Sequence, residues 1–468
     1  MLADFITGKI RQELPFAPNT GQEQLLVKLG RFLTCRVPNN TFVLRGYAGT
    51  GKTSMVAALV RAMNGLKQAC VLLAPTGRAA KVLSAYAGFP AYTIHKRIYR
   101  QRQMGLDDFA LSVNMQQDTL FIVDEASMLA NQRNEGSTFG SGRLLDDLIQ
   151  YVFSAQGCSL LLLGDDAQLP PVGQTDSPAL NVEFLRGYGL NIISHTLTEV
   201  ARQALDSGIL YNATAIRNQL ATGQVNLMPT ITTQGFADIR SIYDREDFLQ
   251  TLEEAYRYAG QEETILITRT NIRTNLYNQG VRNQILWRDS QIAAGDRIMV
   301  TKNNYFWTAQ YDNLPFLANG DMFEIVRLRN ERELYDFHFV DASLKAVDYD
   351  WEIEATLWLD TLFTDSPEAN FELQKELFRR VAEDYPEIRN RRDLWKEVMK
   401  SPYYNALQVR FAYAVTCHKA QGGQWKRVFI DAGKVSDDRL GEDFYRWFYT
   451  AITRAQEQVF LINFPPKK

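Results

Sequence analysis

The chain has 468 residues, which at roughly 150 residues per domain suggests about three domains, and its 46% hydrophobic and 22% charged content excludes a disordered or fibrous chain. Lys plus Arg total 51 against 54 Asp plus Glu, a net charge of −3, so the bulk sum does not announce a nucleic-acid binder. Cys35, Cys70, Cys158 and Cys417 form no C-x-x-C pair, Met1 to Gln12 carries no signal-peptide pattern, and no run is apolar enough to span a bilayer, which predicts a soluble cytoplasmic protein without a zinc site, disulfide framework or membrane partner.

Along the first 200 or so residues, short apolar runs alternate with amphipathic ones. Thr41 to Leu44, Ala69 to Ala74, Thr119 to Val123 and Cys158 to Leu163 read as strands buried on both faces, and Met55, Ala58, Leu59, Ala62 and Met63 keep helical spacing between two of them. Repetition of strand, helix, strand predicts a parallel sheet covered by helices. Asn131 to Arg143 is polar and rich in Gly and Ser, and reads as a mobile surface loop. Thr264 to Ile267, Arg410 to Thr416, Val428 to Asp431 and Val459 to Asn463 predict a second α/β unit. Between them, Met322 to Leu328, Tyr335 to Val340 and Glu352 to Leu359 alternate like antiparallel strands, and Ser366 to Lys400 turns into charge-dense helix. A small domain at about 320–405 is thus inserted into the second unit.

Gly46-Tyr-Ala-Gly-Thr-Gly51-Lys52-Thr53 fits G-x-x-x-x-G-K-[ST] and lies between the first strand and a helix. Glycines let successive amides curl around a polyphosphate. Gly46, Gly49, Thr50, Gly51, Lys52, Thr53 and Ser54 are the candidate nucleotide cradle; Lys52 would reach the β and γ phosphates and Thr53 would ligate Mg²⁺. The apolar run Leu120 to Val123 ends in Asp124 and Glu125. Asp124 is the natural Mg²⁺ partner and Glu125 the candidate general base, and the pair points to hydrolysis of a nucleoside triphosphate. After the next strand, Gln168 is suited to sense the γ-phosphate, because an amide can bond both phosphate and attacking water.

Further segments stand in order: Gln22 with Leu25 and Leu26; Ala74-Pro75-Thr76-Gly77-Arg78; Thr93-Ile94-His95; Gly164 to Gln168; Leu197 to Gln203; Val415-Thr416-Cys-His418-Lys419-Ala-Gln421-Gly422-Gly423; and Tyr449-Thr-Ala-Ile-Thr453-Arg454-Ala455. As a set, from about Thr20 to Asn463, they resemble the superfamily-1B DNA helicases of the RecD-like and Dda-like kind. The resemblance implies two tandem RecA-like P-loop motor domains, 1–195 and then 196–319 with 406–468, and an SH3-like β insertion at 320–405 that here carries extra helices. It implies Gln22, or Gln24 two positions on, as the adenine reader. Arg202 and Arg454 correspond to the two arginines that reach the γ-phosphate. Pro75, Thr76, His95, Asn304, Thr416, His418 and Lys419 correspond to DNA contacts. His195 and His338 have no such context and read as structural.

The same resemblance implies a wedge hairpin within 97–118, with Tyr99 and Phe109 as an apolar tip; a plain surface excursion is the other reading. The implied activity is ATP-dependent 5′→3′ translocation on single-stranded DNA with unwinding of duplex at single-strand/duplex junctions, by a monomer, with ATP and Mg²⁺ as cofactors and repair, recombination or replication proteins as partners. An RNA-directed helicase and a motor-like subunit of a repair or recombination complex are the alternatives. For such a motor the −3 total matters less than its distribution, and a local positive groove is expected over Arg78, Lys81, Lys302, His418 and Lys419.

Overall fold

In the computed structural model, which describes residues 2–101, 109–133, 139–200, 206–308, 311, 314, 316–364, 366–436 and 439–464, the first long helix starts on a reciprocal cap. The Asn19 side chain accepts the Gln22 amide at 2.9 Å and the Gln22 side chain accepts the Asn19 amide at 3.0 Å. That helix, α2 (Thr20–Thr34), follows α1 (Leu2–Gln12) and leads into β1 (Asn40–Gly46). Chain order then runs α3 (Lys52–Gly65), β2 (Cys70–Ala74), α4 (Gly77–Ala87), β3 (Ala91–Thr93), α5 (Ile94–Ile98), β4 (Tyr99–Gln101), β5 (Phe109–Leu111), β6 (Leu120–Val123), α6 (Leu144–Phe153), β7 (Ser159–Gly164), α7 (Val182–Arg186) and β8 (Asn191–Leu197). Six of these strands form one sheet in the order β3-β2-β6-β7-β1-β8. Every described pairing is parallel, for example Phe42 opposite Leu161 and Leu72 opposite Ile122. Continuous apolar runs fit strands covered on both faces, and Leu25, Leu29, Phe42, Leu59, Ile122 and Leu161 meet in one buried cluster. This is a RecA-like α/β core. The carboxyl ends of β1, β6 and β7 deliver Gly46, Asp124 and Asp165 to one edge, where ligands of such sheets bind.

Two compact units divide the chain: described residues within 2–100, 109–242 and 420–464 make one, and those within 243–419 the other. This division differs from the boundaries expected at 195/196 and 405/406. Within the first unit, α8 (Gly208–Thr222) and β9 (Ile239–Ile242) follow the sheet. In the second come α9 (Arg245–Ala259), β10 (Thr264–Thr268), α10 (Asn271–Gly280), β11 (Arg297–Val300), β12 (Met322–Leu334), β13 (Phe337–Ala346), β14 (Glu352–Trp358), α11 (Pro367–Ala382), α12 (Arg391–Val398), β15 (Leu407–Phe411) and β16 (Ala414–Thr416), and α13 (Cys417–Ala420) spans its end. The chain then returns to the first unit as β17 (Trp425–Asp431), α14 (Glu442–Ile452) and β18 (Ala455–Ile462). There β18 pairs parallel with β17 and with β9, as Val459 opposite Val428 and opposite Ile239. These pairings, and α14 packed on α8, draw 206–242 and 420–464 into the first unit.

In the second unit β10 pairs parallel with β16, and β11 to β15 close into a barrel. The insertion expected at 320–405 does not close by itself: β11 and β15 lie outside it, because a barrel needs partners for both edges of β12–β14. The expected single strand at 410–416 is two, β15 and β16, serving the barrel and β10 respectively. Phe337, Phe339 and Trp358 of the barrel bury Leu377 and Val381 of α11 and Val398 of α12. Buried Asp296 is held by Arg282 at 3.0 Å, Arg288 at 2.6 Å and the Tyr413 hydroxyl at 2.8 Å.

Two expectations for the first unit are corrected. Tyr99 and Phe109 are not an exposed tip; in the β4–β5 pair they are 6% and 1% exposed, each with its ring against Phe139. Nor is the whole of 131–143 a free loop: Phe139 bridges to Phe109, the Gly140 amide donates to Phe109, and the Ser141 amide and the Tyr99 hydroxyl both donate to Asp147. An aromatic between polar residues found an apolar partner distant in sequence. Residues 102–108 and 134–138 lie outside the described residues. Among the described residues no helix is long and apolar enough to cross a membrane.

Candidate nucleotide site and nucleic-acid interface

The loop between β1 and α3 takes its shape from two left-handed residues, Gly49 at φ +73° and Gly51 at φ +82°. Gly51 is also the N-cap of α3, and a Cβ there would lie 2.8 Å from Gln22 Nε2. Thr50 is fully buried and donates from Oγ1 to the Tyr47 carbonyl at 2.7 Å. Lys52 Nζ donates to the carbonyls of Gly46 and, at 3.0 Å, Tyr47, and stands 3.9 Å from Asp165 Oδ2. Buried Gln22 donates through Nε2 to the Thr50 carbonyl at 3.1 Å, whereas Gln24 is exposed. Gln22 is thus the glutamine placed beside the loop.

Facing this loop across a cavity of about 390 Å³ are Asp124, Glu125, Asp165, Gln168 and Arg454, with Thr53 and Ser54 also in its wall. Asp124 Oδ1 accepts the Glu125 amide at 2.8 Å. Burial, and then the neighbouring Glu125 charge, hold Asp124 above the usual carboxylate range, opposed by Lys52 and Arg454. Glu125 sits at φ +51°, a left-handed conformation that costs a non-glycine residue about 1–3 kcal/mol and aims its side chain off the strand end. Its Oε1 lies 3.5 Å from Arg454 Nη1. Arg454, 3% exposed, is held by its Nε bond to the Thr450 carbonyl at 3.1 Å and its Nη1 bond to Gly423 at 3.3 Å. Buried Gln168 carries Oε1 without a partner among the described residues. Arg202 lies outside the described residues.

Sequence reasoning missed the helix that holds this constellation together. Tyr449 on α14 donates its hydroxyl to Asp165 Oδ2 at 2.7 Å and accepts the Ala48 amide of the phosphate loop at 2.9 Å. Thr450 Oγ1 accepts the Leu169 amide at 2.8 Å, Arg446 Nη1 donates to the Gln168 carbonyl at 3.2 Å, and Gln421 Nε2 donates to the Leu169 carbonyl at 2.7 Å. The available signal was a tyrosine at the head of the segment that ends in Arg454. Among the described residues no group of three or more His, Cys, Asp or Glu could hold a metal. A Mg²⁺ shared between one carboxylate, the Thr53 hydroxyl and phosphate oxygens needs no such group, so the donor set fits that ion. The glycine loop, where a Cβ at Gly46 would lie 2.9 Å from the Lys52 side chain and displace it, and the orphaned Gln168 oxygen fit a polyphosphate.

The residues expected at DNA have mixed placements. In the first unit, half-buried Pro75 and Thr76 end β2 and start α4, where Thr76 caps the Ala79 amide at 3.2 Å. His95 packs against Phe139 at 5.0 Å and Tyr99 at 5.7 Å, and burial lowers it to about 4, so it is a neutral aromatic-cluster member. Arg78 donates to the Gln424 carbonyl at 2.9 Å and lies over Trp425, while Lys81 is exposed. In the second unit, Asn304 is committed internally: Nδ2 donates to the Asn405 carbonyl at 2.8 Å, and Oδ1 accepts the Phe306 and Trp307 amides. Thr416, Lys419 and Lys302 line one hollow, and His418 is exposed on α13. Lys419, also exposed on α13, donates to Asn319 at 2.5 Å. His195 bonds the Gly21 carbonyl at 2.9 Å and His338 pairs with Asp360 at 3.1 Å; both are structural contacts.

The chain is similar to known proteins over most of its length. Residues 19–235 match the family model described as an AAA domain, and residues 411–462 match that of the UvrD-like helicase C-terminal domain. The ATP-dependent DNA helicase dda of Enterobacteria phage T4 is 23% identical, over 90% of this chain and 93% of that protein. The ATP-dependent RecD2 DNA helicase of Deinococcus radiodurans is 33% identical over 28% of this chain and 16% of its own length. Among solved structures, a Pif1 helicase from Bacteroides in complex with ADP-AlF3 and single-stranded DNA shows 15% identity and a TM-score of 0.48, covering 95% of this chain and 92% of that one. With the phosphate loop, the acidic strand end and Arg454 around one cavity, and with an AAA-domain model and a UvrD-like helicase C-terminal model matched in this order, the chain is similar to the superfamily-1B helicases.

Proposed function

We propose that the chain is an ATP-dependent DNA helicase that moves 5′→3′ on single-stranded DNA and unwinds duplex at junctions, acting as a monomer. The observation that carries this reading is the convergence of Lys52, Asp124, Glu125, Gln168 and Arg454 on the cavity beside the phosphate loop. Loop amides, the N-terminus of α3 and Lys52 bind the phosphates of ATP. Thr53 and Asp124 would hold Mg²⁺, which would supply neutralisation of the charge on the phosphate oxygens. Glu125 orients and deprotonates the attacking water, Gln168 fills its orphan acceptor with that water, and Arg454 stabilises the charge of the transferring phosphoryl group, with Arg202 proposed as its companion. Gln22 reads the adenine edge.

Arg454 follows α14, whose Tyr449 already bonds the phosphate loop, so a γ-phosphate held between Arg454 and Lys52 tightens that contact and its loss loosens it. That alternation moves DNA-contacting segments contiguous with the same motifs: Thr416 and Lys419 just before Gln421, and Pro75 and Thr76 after β2. The 5′→3′ polarity follows from the motif resemblance. Lys52→Ala and Glu125→Gln are expected to abolish ATP turnover while single-strand affinity stays within a few-fold; DNA-stimulated turnover retained in either variant would overturn the assignment.

A further inference from the structure

Two adjoining hollows in the second unit share Lys302, Gln374 and Gln408. One runs past Thr416, Lys419 and Arg410, and the other lies beneath Trp395 and Tyr404. Among the described residues neither has an Asp or Glu in its lining, although acidic residues outnumber basic ones in the chain, while Lys302, Arg410 and Lys419 all line the first. The rest of the lining is mainly amide and aromatic. On the barrel-facing helices, Phe371 of α11 is 58% exposed and Trp395 of α12 is 41% exposed, the former with Lys375 Nζ 4.5 Å from its ring centroid. Between the hollows Lys302 Nζ donates to Gln374 Oε1 at 2.6 Å, which fixes α11 beside the barrel strand ends.

We propose that α11 and α12 form a wall of a single-strand DNA track in this unit, with Phe371 and Trp395 as base-stacking platforms on either side of the Lys302–Gln374 bond. The inference rests on the helicase reading and extends its DNA contact to helices for which no role has been assigned. Charge complementarity selects the occupant: a groove with three cations and no carboxylate among its described lining residues suits a phosphate backbone, and flat exposed rings beside it suit unstacked bases, which a duplex does not offer. An acidic peptide would use the cations and leave the rings without a function.

The test uses the full chain with a fluorescent oligothymidylate and a blunt duplex of similar length. Phe371→Ala and Trp395→Ala are each expected to weaken single-strand binding by about 5- to 100-fold, the loss of one stacked base, with duplex binding and DNA-independent ATP turnover unchanged. Trp395→Phe, which keeps a ring, recovers most of the affinity. Gln374→Glu keeps a partner for Lys302 yet places a carboxylate at the waist, and is expected to weaken single-strand binding at least tenfold at low salt. Unchanged single-strand affinity in the two alanine variants, or equal losses for single strand and duplex, overturns the proposal. Wild-type protein that binds no single strand overturns the helicase reading, and with it this extension.

Discussion

Replacing Tyr449 by Phe removes one oxygen that serves two partners on the nucleotide site, so its cost can be worked from the structure. The hydroxyl donates to Asp165 Oδ2 at 2.7 Å and accepts the Ala48 amide at 2.9 Å. Asp165 has a side-chain exposure of 1%, and burial already raises its pKa. A bond to a buried charge is worth about 1.5–3 kcal/mol, and leaving the half-buried Ala48 amide unpaired costs about 1 kcal/mol more. The phenyl ring keeps the apolar packing, so the sum, about 2.5–4 kcal/mol, is the expected destabilisation of the first unit. Thermal unfolding followed by tryptophan fluorescence is expected to fall by roughly 5–15 °C, given about 2–4 °C per kcal/mol in a domain of this size. Tyr445→Phe is the control, since it loses only a neutral bond to the Leu227 carbonyl at 2.8 Å and is expected to cost about 1 kcal/mol. Tyr449→Phe within 0.5 kcal/mol of wild type, or no worse than the control, would refute the claim that α14 pins Asp165 and the phosphate loop.

Further outcomes follow from the same geometry. Gln22→Ala is expected to relax the preference for ATP over GTP and to lose about 1 kcal/mol from the α2 cap, whereas exposed Gln24→Ala should leave both unchanged; nucleotide competition and thermal melts distinguish them. Because Asp124 is raised by burial and by Glu125, it must lose a proton to hold Mg²⁺. Mg²⁺ affinity in titrations with a nucleotide analogue should therefore weaken as pH falls through that raised range, approaching tenfold per pH unit, and Asp124→Asn should flatten the slope. Arg454→Lys keeps the charge but not the planar fork, and is expected to lower ATP turnover by about 10²- to 10³-fold with nucleotide affinity little changed. A loss in binding equal to the loss in turnover would make Arg454 structural.

Most of the first sheet was legible from sequence because its strands are continuous apolar runs, and a strand buried on both faces leaves no alternation to misread. The phosphate loop and Asp124–Glu125 were legible because each is compact in sequence and set at a strand end. What sequence hid were pairings between distant segments. Tyr99 and Phe109 look like an apolar tip until Phe139, some thirty residues on, supplies the surface that buries them. Asn304 looks available for DNA until its amide is seen to hold Asn405 and the Phe306–Trp307 turn. The barrel's closing strands lie outside the stretch whose composition marks it, since edge completion depends on geometry and not on local pattern. Tyr449, some 400 residues from Ala48, carried no sign of its partner beyond its place before Arg454.

In the proposed function, ATP hydrolysis at this cavity drives directional movement on DNA. Duplexes with a single-stranded tail on either the 5′ or the 3′ side, mixed with purified chain, Mg²⁺ and ATP, test it in one measurement of strand separation. Unwinding of the 5′-tailed duplex only, dependent on ATP and lost in Lys52→Ala, is the expected result. Equal unwinding of both substrates, unwinding from the 3′ tail alone, or activity surviving Lys52→Ala would contradict it.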